Sequence, residues 1–512
     1  AIIDAGPSPT LRHDRPTPLP AMLHLPHISP LEHSAFVAAG LLTYIVVTRV
    51  RRQRRHPYAA MAWVLGIAAF PYLGLPLFLF FGTRKFYPPA TRRQPAPTGP
   101  WAHAVPLWTR RLLAAVGVAA AQPQASVRFD ADGAAALERL RALIAGSRHT
   151  LDVCTYVLGD DEVGAAVAAD LAERARAGVR VRLLLDSIGS LKSAHSHDAL
   201  LKAAGVHTRM FVPALGIPGR GRANLRNHRK LVVADGARLW GGGRNIANEY
   251  FIGRVGEPAW LDLSFIACGP LAAQAQALFE NDWRIARGVR KAPRLDYAQR
   301  LARREAELDA HAPATPDAAT AAPPSAPVVD APALPPLAQW VPSGPDFHED
   351  ILHALLVSAI FHAERRLLLA TPYFVPDEGL LEALLLAARR GLQITLVMPE
   401  RSNHRLADWA RGRALRELVA AGADVRLLPG MLHAKAVVVD EVLALCGSAN
   451  LDSRSLFINY EAMAAFYGPA EIDWLGNWIT ETAQRGQRAS AQPPSWWRDI
   501  GEGLVATVGF QL

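Results

Sequence analysis

Cysteine is scarce in this chain, with three residues among 512. So few thiols exclude a disulfide-stapled fold and a cysteine-rich zinc site. Charged residues are also few, at 20% of the chain, whereas hydrophobic residues reach 50%. This composition excludes a chain that is disordered as a whole, and it allows large buried cores. At this length we expect two to four domains.

Lysine is rare even among the basic residues, since only six of the 55 are lysines: Lys85, Lys192, Lys202, Lys230, Lys291 and Lys435. A general preference for arginine explains the low number, and it makes each retained lysine harder to attribute to chance. The formal net charge of the chain is +9. That charge suits a partner that carries phosphate, such as nucleic acid, an anionic membrane surface or a phosphorylated substrate.

Two apolar runs follow a Pro- and His-rich segment, 1–30, which is predicted to lack fixed structure. The first run, Ser34–Thr48, has 15 uncharged residues, and the second, Ala59–Phe81, has 23. The second is long enough for a transmembrane helix, whereas the first alone also fits a signal-like or buried core helix. Five arginines lie between them in Arg49–Arg55. We predict a membrane hairpin over 31–85, with basic residues on both sides that leave its orientation undecided.

The rest of the chain predicts two similar α/β halves. Residues 94–125 are interpreted as a linker with a short helix. Strand-helix-strand then recurs in the same order on both sides of a Pro/Ala-rich linker, and this alternation is typical of a mainly parallel sheet covered by helices. The predicted ranges are 126–295 for the first half, 296–339 for a helix and the linker, 340–485 for the second half and 486–512 for a C-terminal tail.

One sequence motif occurs once in each half. His228-x-Lys230 is followed by Asp235 after four mostly apolar residues, and His433-x-Lys435 is followed by Asp440 in the same way. An asparagine lies 17 residues after each histidine, as Asn245 and Asn450, beyond a turn of small residues. A single copy of such a motif can arise by chance and would be weak evidence for a site. Chance does not explain two copies with equal spacing.

The motif predicts a phosphate-handling site. Residues i and i+2 of a strand face the same way, so each His and Lys point together. If the halves pack about a pseudo-twofold axis, two lysines and two amides converge and suit phosphate oxygens. Two imidazoles suit one nucleophile and one general acid. The ligand spacing of a zinc site is missing, and a lysine beside each histidine is a poor metal neighbour. We therefore predict no metal and no cofactor.

The paired motifs resemble those of the phospholipase D superfamily, and further residues resemble its bacterial cardiolipin synthase branch. The resemblance covers about 45–465 and includes five further segments: Ala62–Gly82, Asn245–Tyr250, Phe279–Trp283, Thr371–Glu378 and Asn450–Ser455. It implies two phospholipase D-like α/β/α halves that share one active site, preceded by a transmembrane helical hairpin. It also implies a multi-pass protein of the bacterial inner membrane.

The resemblance implies a role for each motif residue. One histidine, His228 in the pattern of many members, attacks phosphorus, and the other, His433, protonates the leaving alcohol. The phosphate oxygens are held by Lys230, Lys435, Asn245 and Asn450. Family members also orient each histidine with an acidic residue beyond the motif, which predicts Glu461 for His433 and Asp262 for His228. The motif aspartates Asp235 and Asp440 belong to the same catalytic motifs, although support of a loop suits them better than acid chemistry.

Three functions remain open from the sequence. The first is a phosphatidyltransferase that makes cardiolipin from two phosphatidylglycerol molecules and releases glycerol. The second is a hydrolase of phospholipid or nucleic acid, and the third is a membrane-tethered scaffold. Intact paired motifs count against the scaffold, and the membrane hairpin counts against a nucleic-acid substrate. Two positions depart from the family pattern. Gly241 stands where the family usually has Thr, and Asp262-Leu263-Ser264 stands where the branch often has Asp-x-His. Both flank the chemistry, so they concern the choice of acceptor rather than activity.

Aromatic residues have two interpretations each. Tyr156 and Tyr373 close equivalent strands, where they either pack in the core or line the mouth of the pocket. Trp496 and Trp497 suit a lipid interface, but a packed or merely exposed pair fits equally well.

Overall fold

A computed structural model describes most of the chain. The described residues are 29–50, 57–82, 101–191, 193, 195–211, 224–287, 335–347 and 349–507. Most of the segment predicted to lack structure, part of the arginine-rich turn and most of the linker therefore lie outside the described residues.

The N-terminal apolar region forms three helices rather than two. Helix α1 is Pro30–Val50, α2 is Pro57–Ala69 and α3 is Pro71–Phe81. The second apolar run was predicted as one spanning helix, but it breaks at Phe70, where Pro71 starts a new helix. A proline lacks the N–H of a helix interior and suits a first turn, so it ends one helix and begins the next. Within the described residues, only α1 is long and apolar enough to cross a membrane.

The three helices pack so that the chain folds back on itself. Trp63 lies 5.4 Å from Phe78 between ring centroids, and a Cβ on Gly74 would lie 2.6 Å from the Gly66 carbonyl oxygen, so α2 and α3 are antiparallel. Phe36 and Tyr72 are 5.0 Å apart, and Tyr44 and Phe78 are also 5.0 Å apart, so α3 runs in the same direction as α1. The start of α2 and the end of α3 therefore lie at the end where α1 finishes.

The first half contains a seven-stranded sheet in the order β2-β8-β7-β6-β3-β4-β5. After the short β1, Gln122–Pro123, its strands are β2 Ser126–Asp130, β3 Thr150–Thr155, β4 Arg180–Asp186, β5 His207–Phe211, β6 Leu231–Ala234, β7 Arg238–Gly242 and β8 Ser264–Cys268. Only β3, β4 and β5 pair in parallel, and the other neighbours are antiparallel. The expectation of a mainly parallel sheet was therefore wrong, because β6, β7 and β8 are neighbouring strands that pair antiparallel, with no long crossover helix between them.

The second half repeats this order. Its strands are β9 Leu337–Ser343, β10 Arg366–Ala370, β11 Phe374–Val375, β12 Gln393–Pro399, β13 Asp424–Leu428, β14 Ala436–Val439, β15 Leu443–Gly447, β16 Leu451–Asp452, β17 Glu461–Phe466 and β18 Gln487–Arg488. The nine-stranded sheet runs β1-β9-β17-β15-β14-β10-β12-β13-β18, and β11 pairs with β16 separately. The central seven strands match the first sheet one for one, so the predicted repeat of two α/β halves is confirmed.

Helices cover both sheets and also lie between them. The helices of the two halves are α4 Leu107–Ala115, α5 Gly133–Ala145, α6 Glu162–Arg176, α7 Asp198–Ala203, α8 Asn248–Phe251, α9 Pro270–Ala286, α10 Ile351–His362, α11 Glu378–Arg389, α12 Arg405–Ala410, α13 Gly412–Ala420, α14 Ser453–Phe457, α15 Pro469–Gln484 and α16 Trp496–Thr507. Buried side chains of α9 and α15, such as Leu278 and Leu475, pack with strands of both sheets in one shared core. This core fixes the halves against each other and places their motif strands face to face.

Candidate active site

Each His-Lys motif lies immediately before a fully buried strand. His228 and Lys230 precede β6, while His433 and Lys435 precede β14. The strands are held in place because their neighbours on both sides are hydrogen-bonded strands of the sheet. Lys230, His433 and Lys435 are buried, and the Lys230 ammonium donates to the His228 carbonyl oxygen at 2.6 Å.

Two backbone bridges join the motifs across the halves. The His228 N–H donates to the Tyr460 carbonyl at 2.9 Å, and the His433 N–H donates to the Leu261 carbonyl at 2.7 Å. Tyr460 immediately precedes Glu461, and Leu261 immediately precedes Asp262. The bridges therefore bring each motif histidine beside the acidic residue of the opposite half.

The carboxylates contact the histidines in this crossed arrangement. Asp262 lies 2.6 Å from Nδ1 of His433, and Glu461 lies 3.6 Å from Nδ1 of His228. The sequence correctly singled out both acids, but the expected pairing of Glu461 with His433 and of Asp262 with His228 was wrong. The reason is geometric: the turn that carries each acid forms its backbone bridge with the other half.

The two carboxylates differ in their immediate partners. Glu461 accepts a hydrogen bond from the Ser448 hydroxyl at 2.5 Å and one from the Asn459 amide at 3.3 Å. Gly243 takes the place of Ser448 in the first half, where a Cβ would lie 2.3 Å from Oδ1 of Asp262. A side chain is thus excluded beside Asp262, and this lets the carboxylate approach His433 closely.

Burial and the lysines depress the pKa of both imidazoles. Burial lowers the pKa of His228 well below its usual value, and the nearby Lys230 charge adds to the effect. Burial and Lys435 lower the pKa of His433 to about 4, although Asp262 opposes them. Both rings are therefore neutral at pH 7 before substrate binds, as a nitrogen nucleophile requires.

The remaining ionisable groups are shifted by the same environment. Burial lowers the pKa of Lys435 to about 7, and Asp262 opposes this shift. Burial raises the pKa of Glu461 to about 7 against the charge of Lys230. Burial also disfavours ionisation of Asp262, but His433, Lys435 and Arg244 together oppose it and lower the pKa of Asp262 overall. The two acids therefore carry unequal charge near neutral pH, so the two histidines are chemically different.

Both predicted asparagines are buried, and Asn245 lies beside a tyrosine that sequence reasoning missed. Asn245 and Asn450 are both buried, and the Asn245 amide donates to the Tyr250 hydroxyl at 2.8 Å. The Tyr250 ring lies edge-on to His433 at 5.0 Å, and Trp260 lies 5.7 Å from the same imidazole. The signal for Tyr250 was present in Asn245–Tyr250, where it follows the asparagine by five residues.

Asp235 and Asp440 are not brought into the site. They follow the far ends of β6 and β14, where both residues adopt a left-handed backbone with φ of 55° and 46°. Asp235 accepts from the N–H groups of residues 148–150, and Asp440 accepts from those of residues 364–366. Each carboxylate therefore fixes the start of a neighbouring strand, β3 or β10, and makes no contact with the histidines.

An open cleft in the first half lies on the far side of Tyr156 from His228. Its volume is about 810 Å³, and its lining includes Tyr156, Asn248, Leu191 and Val255. The Tyr156 ring lies 4.1 Å from the His228 ring between centroids, so this tyrosine separates the cleft from the first motif. Of the two interpretations of Tyr156, the structure supports lining of the pocket mouth.

Arg229 links the two halves directly behind the site. Its side chain is fully buried and lies 2.5 Å from the Asp282 carboxylate. The same guanidinium donates to the Glu461 carbonyl at 3.1 Å and to the Ser343 carbonyl at 2.9 Å, both in the second half. The middle residue of the first motif therefore holds β17 in register beside His228.

Arg229→Met is expected to lower the free energy of unfolding by about 3–5 kcal/mol, because it leaves the Asp282 carboxylate buried without its partner. The measurement is urea unfolding in detergent. The control is Arg413→Met, which removes an exposed pair with Glu417 and should change stability by less than about 0.5 kcal/mol. Adding Asp282→Leu to Arg229→Met should recover part of the loss, and equal losses in the single and double variants would contradict this account.

Among the described residues, no group of three or more His, Cys, Asp or Glu side chains is arranged to hold a metal ion. The positive charges at the site come instead from Lys230 and Lys435, with Arg454 close enough to lower the pKa of His228 further.

Comparisons with known proteins identify related chains. The family model described as "Cardiolipin synthase, PLD-like domain" matches 140–283 and 356–482, and the model "Phospholipase D-nuclease N-terminal" matches 40–82. A relative from Pseudomonas entomophila (strain L48), named cardiolipin synthase A, is 31% identical over 427 residues, covering 80% of this chain and 82% of the relative. One of the same name from Escherichia coli O157:H7 is 30% identical over 497 residues, covering 91% and 95%.

Solved structures support the fold. A crystal structure of phosphatidylserine synthase from Haemophilus influenzae Rd KW20 superposes with a TM-score of 0.58 at 14% identity. The match covers 79% of this chain and 99% of that chain. At this identity the likeness shows a shared fold alone.

Proposed function

Because the chain belongs to the cardiolipin synthase family of phospholipase D-like enzymes, we propose that it is a membrane phosphatidyltransferase. It transfers a phosphatidyl group from one phosphatidylglycerol to the glycerol hydroxyl of a second, which forms cardiolipin and releases glycerol. The observation that carries this proposal is the crossed site, in which two histidines, each facing a carboxylate, lie beside two lysines.

The first step is attack on phosphorus by neutral His228. A bond forms between an imidazole nitrogen and phosphorus, the bond from phosphorus to the glycerol oxygen breaks, and His433 gives that oxygen a proton. Lys230 and Lys435 balance the charge on the phosphate oxygens, with the Asn245 and Asn450 amides beside them. The product is a phosphatidyl-histidine and free glycerol.

The second step reverses the proton transfer. The hydroxyl of the second phosphatidylglycerol gives its proton to His433 and attacks phosphorus, and the bond from phosphorus to nitrogen breaks. A phosphodiester brings negative charge that offsets Lys435, which otherwise lowers the pKa of His433. Substrate binding is therefore expected to raise the pKa of His433 toward the range of a working acid.

The unequal carboxylates support this division of roles. Asp262 lies against His433 with a lowered pKa, so its negative charge favours the imidazolium that a general acid requires. Glu461 lies farther from His228, and its raised pKa leaves less negative charge there. His228 is thereby kept neutral and nucleophilic.

The test is to incubate the purified protein with labelled phosphatidylglycerol and to identify the products. Labelled cardiolipin with an equal amount of free glycerol is expected. Phosphatidic acid without cardiolipin would show that water is the acceptor, as in the alternative of a phospholipid hydrolase. No turnover of phosphatidylglycerol would contradict the proposal. Nucleic acid is not expected as a substrate, because a soluble polymer does not require a membrane helix.

Transfer is expected to persist in excess EDTA, because Lys230 and Lys435 supply the positive charge that a metal ion supplies in other phosphoryl-transfer sites. The rate with and without chelator measures this. Loss of activity that magnesium or zinc restores would overturn the described role of the lysines.

For the localisation, the bacterial cell membrane, we propose that α1 crosses the bilayer once and that α2 and α3 form a re-entrant pair beside it. The sequence predicted a hairpin that crosses twice. One crossing fits the structure better, because α2 and α3 are antiparallel and each is too short to span the bilayer. The basic residues of 49–55 follow the end of α1, and those of 84–93 follow the end of α3. Both helix ends then lie on one side of the membrane. The positive-inside rule places that side, and the catalytic halves with it, in the cytoplasm.

Carbonate washing is expected to leave the protein in the membrane fraction, because α1 is exposed over most of its apolar surface. Release into the soluble fraction would contradict the membrane assignment. A cysteine placed at position 70 should stay inaccessible to a membrane-impermeant thiol reagent added from either side. Labelling from the side opposite the catalytic halves would indicate two full crossings.

A further inference from the structure

The cleft beside Tyr156 carries exposed apolar side chains at its mouth. Ile188 and Leu191 follow β4 and are 45% and 62% exposed, and Val255 across the cleft is fully exposed. Their loop is fixed to the site, because a Cβ on Gly189 between them would lie 2.7 Å from the Tyr156 ring. Ile188 and Leu191 thus protrude from a packed loop that adjoins Tyr156.

The second half carries a matching group of exposed apolar side chains. Leu406 and Trp409 are about half exposed and lie three residues apart on α12, so they share one face of that helix. The helix follows Asn403 and His404, which contact Tyr373 by a hydrogen bond and by ring contact. Since α12 follows β12 as the first-half loop follows β4, the apolar groups occupy equivalent places in the repeat.

The C-terminal helix extends this second group. Gly501 of α16 packs against Trp409, and Val505 packs with Ala407 and Ala410 of α12. An ion pair of 2.7 Å between Arg416 and Glu502 fixes the helix further. Trp497 nevertheless stays 75% exposed. Trp497 precedes Gly501 by four residues, so it lies on the side of α16 that faces Trp409 and extends the exposed apolar surface of α12.

We propose that these side chains form a bilayer-docking surface that seats the mouth of the cleft on the headgroup region of the membrane. We name it the mouth rim, and its members are Ile188, Leu191, Val255, Leu406, Trp409 and Trp497. The proposal rests on the proposed function, since a phosphatidyl substrate lies in a bilayer with only its headgroup at the surface. A rim that dips into that surface lets the phosphodiester reach the histidines while the acyl chains stay in lipid.

Charge and tethering identify the occupant as an anionic bilayer. Arg401 and Arg405 are exposed beside Leu406, and within the described residues neither has an acidic partner in ion-pair distance. Arginines next to tryptophan and leucine suit the boundary between anionic headgroups and acyl chains. The same chain carries the apolar helix α1, so a bilayer is already within reach of the catalytic halves.

The first experiment measures docking without catalysis. The full chain, with its native cysteines replaced and Leu406→Cys labelled with an environment-sensitive fluorophore, is reconstituted in vesicles of phosphatidylglycerol and phosphatidylethanolamine. Lipids brominated near the headgroup should quench the label. The control label is Phe361→Cys, since Phe361 is 50% exposed but lies on α10 at the opposite end of β10 from His433. Equal quenching at both positions, or none at 406, would overturn the docking surface.

The second experiment compares two substrate forms. Leu406→Ser combined with Trp409→Ser should lower turnover of vesicle phosphatidylglycerol at least about tenfold. The double variant removes two apolar side chains that would be buried in the bilayer on docking. Turnover of a short-chain phosphatidylglycerol below its critical micelle concentration should change by less than about twofold, and Phe361→Ser should change neither rate. An equal fall with both substrates would indicate a damaged site and overturn the proposal. Absence of turnover in the unaltered protein would refute the proposed function, while quenching at 406 would still decide the docking surface.

Discussion

His433→Ala is expected to reduce phosphatidyl transfer by roughly 10²–10⁴-fold, and His228→Ala is expected to abolish it. Loss of the general acid leaves an alkoxide to depart without a proton, whereas loss of the nucleophile removes the covalent step altogether. The two variants should therefore differ in kind. His433→Ala should still attack a nitrophenyl phosphodiester, whose leaving group departs without a proton, and His228→Ala should not. His362→Ala, which alters an exposed histidine on α10, is the control and should keep full activity.

Trapping the intermediate locates the nucleophile. An acid-labile, base-stable label is expected on His228 in the unaltered protein and in His433→Ala. Label on His433 that persists in His228→Ala would reverse the two roles. Continued lipid transfer with label on neither histidine would mean that the phosphatidyl group passes directly between the two lipids.

Asp262→Asn is expected to behave like a defect of His433, although Asp262 belongs to the other half. The negative charge of Asp262 raises the pKa of His433, so its removal lowers that pKa and leaves less imidazolium at any given pH. The rate for phosphatidylglycerol should fall by roughly 10²–10⁴-fold, and the limb of the pH profile that needs a protonated acid should move to lower pH. The nitrophenyl diester should be attacked at nearly the normal rate.

Glu461→Gln provides the comparison for Asp262→Asn. Its raised pKa means that the glutamate carries less charge near neutral pH, so a neutral amide should be tolerated better there. We expect a smaller loss of transfer, with similar effects on both substrates, because His228 acts in attack rather than in protonation. If Asp262→Asn instead blocks attack on the nitrophenyl diester, Asp262 acts on His228 and the crossed contacts do not operate during catalysis.

The sequence was sufficient to predict the two halves and to single out the histidines, lysines and acids that the structure brings together, while their catalytic roles stay predictions. Asp235 and Asp440 were also counted among the catalytic residues, but they hold the starts of neighbouring strands instead. The equal spacing from each histidine to its asparagine pointed to a repeated unit, and the i, i+2 geometry placed each lysine beside its histidine. The pairing of histidines with acids was not readable, because Asp262 and His433 are 171 residues apart in the chain. Such a contact depends on how the halves dock through α9 and α15, which no local pattern encodes.

The other wrong predictions from the sequence have local causes. A count of uncharged residues gave one long helix over Ala59–Phe81, but the count gave too little weight to Pro71, which starts a new helix. The alternation of strands and helices at 151–186 was extended to the whole sheet, although β6, β7 and β8 follow one another with antiparallel pairing. Tyr250 was passed over because the sequence analysis used the segment Asn245–Tyr250 only for its asparagine, and a tyrosine in a short helix also fits a core residue.

Because each carboxylate faces the histidine of the other half, neither half contains a complete catalytic unit. A fragment that ends at Arg287 would retain His228, Lys230 and Asp262 but would have no carboxylate to face its own histidine. A fragment that starts at Leu337 would have the mirror-image defect, with Glu461 present and no partner for His433. Two gene copies, one damaged in each half, would therefore restore activity only by exchanging halves between chains. An ancestor with a single half would have needed to pair with a second copy before it could act.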